Sequence, residues 1–224
     1  LLLLNSDTII LHSAVSQALT WLSSHPESYM CTAQLLNTDN TIQGCGGYFP
    51  NLANIFTWAT GLDDLPIVNK IIKPFHPHTP DFYTHDSFFL KDHPQDWLTG
   101  AFMLIRSSVL DDSTIFDENY FMYGEEYEMV YRIKKKYPKK QAWYLVGPQI
   151  VHLGGASSQT KTFPIIKEIT GVLGFFQKHK PVWQFRLVRF ILKANPSIRL
   201  RYLFNRLVGN EVQARHYLEI CSKM

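Results

Sequence analysis

The chain has 224 residues, a net charge of +3, and a composition of 46% hydrophobic and 18% charged residues. This balance is typical of a globular protein with a sizeable core, and it excludes a disordered chain. No apolar run reaches the roughly 18 residues that a membrane-spanning helix needs, and the three cysteines are too few for a disulfide framework and fit a reducing compartment.

The N-terminal part of the sequence alternates between strand and helix patterns. A continuous apolar run over Leu1–Leu4 predicts a buried parallel strand, and the polar residues that follow it are expected to face a ligand site. A helix is predicted next, over Ile9–Ser24. Tyr29–Leu36 and Thr41–Tyr48 are predicted strands, and the turn residues Asn37–Asn40 separate them. The apolar face of the helix consists of Ile10, Ala14, Ala18 and Leu22.

The middle of the chain contains one long segment without a regular pattern. Phe49–Asp96 is rich in proline and is expected to be an irregular, functional or mobile loop. Trp97–Ser107 then predicts a strongly buried strand. Glu125–Lys136 predicts a helix, because its periodicity is helical and its lysines lie at the end where the helix dipole favours cations. Gln141–Val146 and Gln149–His152 predict two short strands.

The C-terminal region differs from the rest of the chain in charge. Residues 171–224 contain 10 Lys+Arg and 2 Asp+Glu, whereas residues 1–170 contain 12 and 17. The pattern is helical from Pro164 onward, which predicts one domain over residues 1–165 and a basic helical region over residues 166–224. These amphipathic helices either pack with a solvated basic face or contact an anionic membrane. No nucleic-acid-binding module is recognised, so no nucleic-acid partner is expected.

Two clusters of polar residues offer metal ligands. Asn5-Ser6-Asp7 follows the first strand, where its carboxylate can hold Mg²⁺ or Mn²⁺ together with a ligand diphosphate. The competing interpretation is an aspartate that caps the following helix. His152 ends a predicted strand, and a neutral imidazole suits Mn²⁺. The glycines and serines after it can contact phosphate, and the alternative is a loop histidine without a ligand.

Two further clusters offer a sugar contact and a base. Trp97 presents a flat apolar face of the kind on which sugars stack, and the small residues Gly100 and Ala101 allow a ligand close to the backbone. The alternative is a core tryptophan. Glu125 and Glu126 begin a predicted helix, where one carboxylate can act as a general base. The alternative is an ordinary acidic first turn, which the helix dipole favours.

In their order and spacing, these clusters resemble a known family. The segments LNSDT, WLTGAFMLIR, FDENYFMYGEEYEMVYR and VHLGGASS are similar to motifs of the family 2 glycosyltransferases of the GT-A fold. They resemble most the bacterial rhamnosyltransferase-like and galactofuranosyltransferase-like branch. The resemblance implies an α/β fold, with a GT-A-type, Rossmann-like mixed sheet flanked by helices and a C-terminal helical appendage. It also implies that an N-terminal part is missing, because the family's first strand and nucleotide-contacting loop precede the NSD motif.

The resemblance implies an activity as well as a fold. The family members are inverting glycosyltransferases that move a sugar from a nucleotide-diphosphate donor to a hydroxyl of a glycan or lipid-linked acceptor in cell-envelope polysaccharide synthesis. The implied cofactor is a divalent metal, Mn²⁺ or Mg²⁺. The implied location is cytoplasmic and peripheral at the inner face of the cell membrane.

The resemblance assigns a role to each motif residue. The implied metal ligands are Asp7 and His152. The implied catalytic residues are Glu126, as the base, and Glu125 beside it. The implied donor-binding residues are Asn5, Ser6, Asp7, Gly154 and Ser157. The implied acceptor-binding residues are Trp97, Gly100, Ala101 and Tyr123. The family has Asp at the positions of Glu126 and Glu128, and a carboxylate displaced by about an ångström matters in catalysis.

Two other functions fit the same residues. The first is a glycosyltransferase-like binding module without catalysis, which the glutamate at position 126 favours. The second is a nucleotidyltransferase or another enzyme with a nucleotide-binding α/β sheet, since a fold does not determine the reaction.

Overall fold

The structure is a computed structural model that describes residues 1–82, 88–154, 162–194, 198–199, 203, 206–207 and 218. The chain divides into two compact units. The first unit comprises Leu1–Phe49, His76–Asn119 and Glu125–Ser157. The second unit comprises Pro50–Phe75, Tyr120–Gly124 and Ser158–Met224. The helices are α1 (Ala14–Ser24), α2 (Leu52–Thr60), α3 (Pro66–Ile71), α4 (Glu125–Lys136), α5 (Thr162–His179) and α6 (Val182–Ala194).

The first unit is built on one mixed sheet. Its strands are β1 (Leu2–Leu4), β2 (Thr8–Ile10), β3 (Ser28–Leu36), β4 (Ile42–Gln43), β5 (His93–Gln95), β6 (Phe102–Ile105) and β7 (Gln141–His152). The strand order is β1-β6-β3-β7-β2, with β4 added to β3 and β5 added to β7. Among the strands of the described residues, β3 and β7 form the parallel pair and the other pairs are antiparallel. The predicted α/β fold with a mixed sheet and flanking helices is confirmed.

The core of the first unit lies between the sheet and α1. Every residue of β3 is buried, and α1 packs against β3 and β7. The predicted helix face is confirmed for Ala14, Ala18 and Leu22, which are all buried. Helix α4 has the predicted limits, with three glutamates in its first turn and three lysines in its last. These charges complement the helix dipole at both ends.

The described elements of the second unit are helices. Helix α6 packs against α2 and α5. Asn51 caps α2 through a capping box with Asn54, which satisfies backbone N–H groups that the first turn leaves unpaired. No helix in the described part of the chain is both long and apolar enough to cross a membrane. The division into residues 1–165 and 166–224 stays a prediction. The buried side chains of these helices include Ile55, Ala59, Ile169, Val172, Phe175, Phe176, Val188 and Leu192.

The N-terminal strand differs from its prediction. We expected a buried parallel strand, but β1 pairs antiparallel with β6 and is only half-buried. The predicted helix over Ile9–Ser24 was too long at its start. Ile9 and Ile10 belong to β2 and are exposed, because their backbone pairs with β7 rather than continuing the helix.

Three further expectations are corrected. The segment Phe49–Asp96, predicted to be irregular, contains α2, α3 and β5. Within Trp97–Ser107, only Phe102–Ile105 forms a strand, since Gly100 lies in a turn. The two predicted strands after α4 are one strand, β7, which passes through Gly147 and Pro148. A register irregularity against β3 accommodates them, as is usual for proline within a sheet.

Candidate functional site

The strand directions bring the predicted site residues to one edge of the sheet. His152 lies at the carboxyl end of β7, which is parallel to β3. Strand β6 is antiparallel to β3, so Ala101, just before β6, lies at this same edge. Strand β1 is antiparallel to β6, with Leu4 opposite Phe102, and therefore delivers Asn5 there. In open α/β sheets, ligands bind beyond the carboxyl ends of the parallel strands.

Asp7 and His152 form a close pair at this edge. Asp7 Oδ1 lies 3.4 Å from His152 Nε2. The backbone fixes the pair, because Thr8 is opposite His152 in the β2–β7 ladder and Leu153 N–H donates to the Asp7 carbonyl over 2.9 Å. Two neighbouring ligands of an octahedral cation, each about 2.1 Å from it, lie about 3.0 Å apart. The observed separation is therefore close to that of two ligands of one cation.

In the described part of the chain, no group of three or more His, Cys, Asp or Glu side chains is arranged to hold a metal ion. Mg²⁺ characteristically binds through one or two carboxylates and completes its shell with water and substrate phosphates. The Asp7 carboxylate fits that mode of binding, and the His152 imidazole is a nitrogen ligand of the kind that suits Mn²⁺.

Gln43 determines how the imidazole of His152 is oriented. Gln43 Nε2 donates to Asn37 Oδ1 over 3.0 Å and to the His152 carbonyl over 3.4 Å. Its Oε1 therefore accepts from His152 Nδ1 at 2.6 Å, which places a hydrogen on Nδ1. His152 Nε2 then faces the Asp7 carboxylate and the side-chain amide of Asn5. Histidine ligands of metals usually have such a partner on the other ring nitrogen.

Asn5 connects the Asp7–His152 pair to the predicted acceptor-binding residues Gly100 and Ala101. Its Nδ2 lies 3.3 Å from His152 Nε2, while its backbone N–H donates to the Ala101 carbonyl over 3.2 Å. Thr8 Oγ1 donates to the Asn5 carbonyl over 2.7 Å, which stabilises the turn between β1 and β2. The side chain and the main chain of one residue thus contact two different parts of the candidate site.

Glu126 is anchored beside the same segment. Gly100 N–H donates to Glu126 Oε1 over 3.2 Å, which fixes the carboxylate at the start of α4. Burial, with a smaller contribution from the Glu126 charge, raises the pKa of the neighbouring Cys45 thiol to about 11. The thiol is therefore neutral and adds no second negative charge beside Glu126. Glu125 precedes it and is half-buried, and the catalytic roles of both glutamates stay predictions.

Trp97 is held from several sides. It is 5% exposed, its Nε1 donates to the Tyr48 carbonyl over 3.2 Å, and Tyr127 and His76 contact it edge-on. Gly46 approaches it closely, with a φ of 75°, and a Cβ there would lie 2.1 Å from the Trp97 carbonyl oxygen. Only glycine fits that position. Trp97 is thus part of the packed interior, and its stacking on a sugar stays a prediction.

Glu128 has a structural role that was not predicted from the sequence. This side chain is fully buried and forms a bidentate ion pair with Arg132, with N–O distances from 2.8 to 3.0 Å. Arg132 also donates to the carbonyls of Ser113 and Ile115. The pair therefore ties α4 to the segment before it. The spacing of four residues on a helix was the available signal.

The remaining predicted site residues are less constrained. Ser6 is exposed in the turn after β1. Gly154 has a φ of 60°, and a Cβ there would lie 3.5 Å from Gln43 Nε2. Gly154 therefore lies close to the side chain that contacts His152. Tyr123 belongs to the second unit, and Ser157 lies outside the described residues. Their donor and acceptor roles stay predictions.

Comparison with known proteins supports a glycosyltransferase-like relationship for this α/β chain. Over 70 residues it is 31% identical to the N-acetylglucosaminyl-diphospho-decaprenol L-rhamnosyltransferase of Mycobacterium tuberculosis, in the strains CDC 1551 / Oshkosh and ATCC 25618 / H37Rv. The match covers 30% of this chain and 23% of the length of each relative. No family model and no solved structure matches the chain.

Proposed function

We propose that this chain carries the metal-binding and acceptor-activating part of an inverting family 2 glycosyltransferase of the GT-A type. The donor is a nucleotide-diphosphate sugar. The acceptor is a hydroxyl of a glycan or lipid-linked intermediate in cell-envelope polysaccharide synthesis. The similarity to a rhamnosyltransferase supports this class of reaction.

One observation carries the proposal. A path of contacts runs from His152 to the Asn5 side chain, from the Asn5 backbone to Ala101, and from Gly100 to Glu126. It connects a pair of candidate metal ligands to a candidate base through a segment of small residues. A sugar transferase needs such a neighbourhood, because the leaving diphosphate and the attacking hydroxyl lie on opposite sides of one anomeric carbon.

Asp7 and His152 are the residues that would hold Mg²⁺ or Mn²⁺. A carboxylate oxygen and an imidazole nitrogen are ligands that suit these ions. When bound, the cation stabilises the negative charge of the departing nucleoside diphosphate. Asn5, Ser6 and Gly154 line the same edge and are proposed to contact the donor.

Glu126 is proposed to accept the proton of the acceptor hydroxyl. The hydroxyl oxygen forms a bond to the anomeric carbon while the bond between that carbon and the phosphate oxygen breaks, and the nucleoside diphosphate leaves with the bonding electrons. One displacement inverts the configuration. No general acid is required, since the leaving group is already stabilised. Gly100 N–H orients the carboxylate, which favours proton transfer as the new bond forms.

The reaction is tested by incubating the full-length gene product with a panel of nucleotide-diphosphate sugars, Mn²⁺, and glycan or lipid-linked acceptors. Release of nucleoside diphosphate with an acceptor that gains the mass of one sugar is the expected result. Sugar binding without turnover across the panel would favour the non-catalytic binding module. A product that gains the mass of a nucleotide would favour the nucleotidyltransferase.

Metal binding is tested separately with Mn²⁺ alone, by calorimetry or electron paramagnetic resonance. We expect Asp7→Asn to weaken Mn²⁺ binding at least about tenfold, since it removes the charged ligand. The control is Asp112→Asn, which removes an exposed carboxylate of the same unit and should leave the affinity unchanged. Equal affinity of both variants would remove Asp7 from the proposed site.

A further inference from the structure

Helix α6 exposes an apolar stripe to the surroundings. Its inward face is formed by Val188 and Leu192, which are buried. On the outer face Trp183 is 59%, Leu187 is 41% and Phe190 is 70% exposed. These three residues are four and three positions apart, so they lie on one side of the helix. Leaving such large side chains in water is unfavourable, because each gains free energy when an apolar environment covers it.

A basic stripe runs beside the apolar one. Arg186, Arg189 and Lys193 are all exposed, and they are again three and four positions apart. Arg186 is three residues from Trp183 and four from Phe190, which makes the two stripes neighbours on the helix surface. Helix α6 contains no acidic residue. Its outer face therefore combines apolar and positively charged side chains.

We propose that α6 lies in the surface of an anionic lipid bilayer through this face. Trp183, Leu187 and Phe190 enter the boundary between headgroups and acyl chains, and the neighbouring cations contact lipid phosphates. A helix with one apolar and one Lys/Arg-rich side is typical of such in-plane binding. Tryptophan is well suited to this boundary, because its ring is apolar and its N–H is polar.

Charge complementarity favours a lipid surface as the occupant. Residues 171–224 contain 10 Lys+Arg and 2 Asp+Glu, so the surplus of cations extends beyond α6 in the sequence. Each basic residue near an anionic bilayer contributes attraction that is screened by salt. The docking itself does not depend on the proposed function, whereas the idea that it brings the chain to a lipid-linked acceptor does.

The test is flotation of the full chain with vesicles of phosphatidylcholine alone or of phosphatidylcholine mixed with the anionic lipid phosphatidylglycerol, which gives the bilayer a negative surface potential. Binding is expected to the anionic vesicles and to weaken as salt rises. The double variant Arg186→Gln/Arg189→Gln should bind about thirtyfold more weakly, at about fivefold per cation. Lys91→Gln/Lys139→Gln removes two exposed charges from the first unit and should bind like the original chain.

The apolar stripe has its own measurement. Tryptophan fluorescence should shift to shorter wavelength on vesicle binding, and Trp183→Phe should bind normally while losing most of that shift. Leu187→Gln/Phe190→Gln should keep its circular dichroism spectrum, because both side chains are exposed, and should lose vesicle binding.

Three outcomes would overturn the docking proposal. The first is the absence of vesicle binding, and the second is equal binding of the charge variant and its control. The third is a dimer in sedimentation velocity that Phe190→Gln dissociates, because a second copy of the chain would then cover the stripe. Nucleoside-diphosphate release with a water-soluble acceptor reports on the proposed function separately, so the two proposals can fail independently.

Discussion

The two units of the chain carry their candidate functional residues in opposite ways. In the first unit these residues are polar and are held by hydrogen bonds, as Glu126 is by Gly100 N–H and His152 is by Gln43. In the second unit they are apolar and basic side chains on the outer face of α6. Chemistry at a sugar carbon needs fixed geometry, whereas contact with a fluid lipid surface does not. The difference suggests that turnover and docking can be altered separately.

The largest difference between the two units is expected when the proposed base, Glu126, is removed. We expect Glu126→Gln to lower kcat by about 10²- to 10⁴-fold, because the amide cannot accept the hydroxyl proton. Donor affinity and vesicle binding should stay unchanged. Nucleoside-diphosphate release and donor titration measure the two effects. Glu118→Gln, at an exposed position of the same unit, is the matched control, and a turnover number equal to that control would assign the base elsewhere.

The next largest effect is expected on the free energy of unfolding of the first unit. Arg132→Met leaves the buried Glu128 carboxylate without its bidentate partner. Breaking such a pair costs about 3 kcal/mol in free energy of unfolding, which urea denaturation measures. The comparison variant is Lys136→Met, which breaks an exposed ion pair with Asp111 on the same helix. Exposed pairs contribute little, so an equal loss in both variants would contradict a special role of Arg132.

A smaller effect on Mn²⁺ affinity is expected when the residue that orients His152 is replaced. We expect Gln43→Leu to weaken Mn²⁺ binding by about 10- to 100-fold, since the imidazole loses the acceptor that positions it. Gln43→Glu keeps an acceptor oxygen and should retain more of the affinity. Gln17→Leu, on the exposed side of α1, should change nothing. Calorimetry with Mn²⁺ measures the three affinities, and a circular dichroism spectrum like that of the original chain excludes a general loss of folding. Unaltered binding by Gln43→Leu would make Gln43 purely structural.

The smallest effect is expected at the cap of α2. Asn51→Ala removes the side chain that accepts from the backbone N–H groups of Ala53 and Asn54, at a cost of about 1 kcal/mol. Thermal unfolding should register this loss, while Mn²⁺ affinity stays as it was. A change in Mn²⁺ affinity of about 1 kcal/mol would contradict the independence of the two units, because Asn51 belongs to the second unit and the candidate metal ligands belong to the first.

The elements that the sequence predicted well are those with local signals. Helix α4 was predicted to the residue, because its glutamates, its periodicity and its lysines all mark the same twelve positions. The buried face of α1 follows from the spacing of Ala14, Ala18 and Leu22. Strand β3 was predicted to within one residue, because most of Tyr29–Leu36 is apolar, although Thr32 and Gln34 are buried with it. In each case neighbouring residues were sufficient to define the element.

The errors concern pairing between distant segments. Strand β1 is antiparallel to its partner β6, which lies about a hundred residues later in the chain, and nothing in Leu1–Leu4 encodes that direction. The same holds for Gln43, whose place beside His152 depends on β3 lying between β4 and β7. Asp7 and His152 were predicted to bind one metal ion, and the structure places their side chains 3.4 Å apart, while the metal binding itself stays a prediction. That prediction came from the motif resemblance, since local pattern alone left both residues open.

The double use of Asn5 restricts which amino acids can occupy that position. Its backbone N–H contacts the Ala101 carbonyl and its side-chain amide contacts His152. The residue at position 5 must therefore supply both a backbone donor and a polar side chain. Proline would remove the first contact, and alanine would remove only the second. Related sequences that keep both Asp7 and His152 should therefore exclude proline at position 5 and vary among small polar residues. Alanine at this position in such sequences would show that the backbone contact matters more than the side-chain contact.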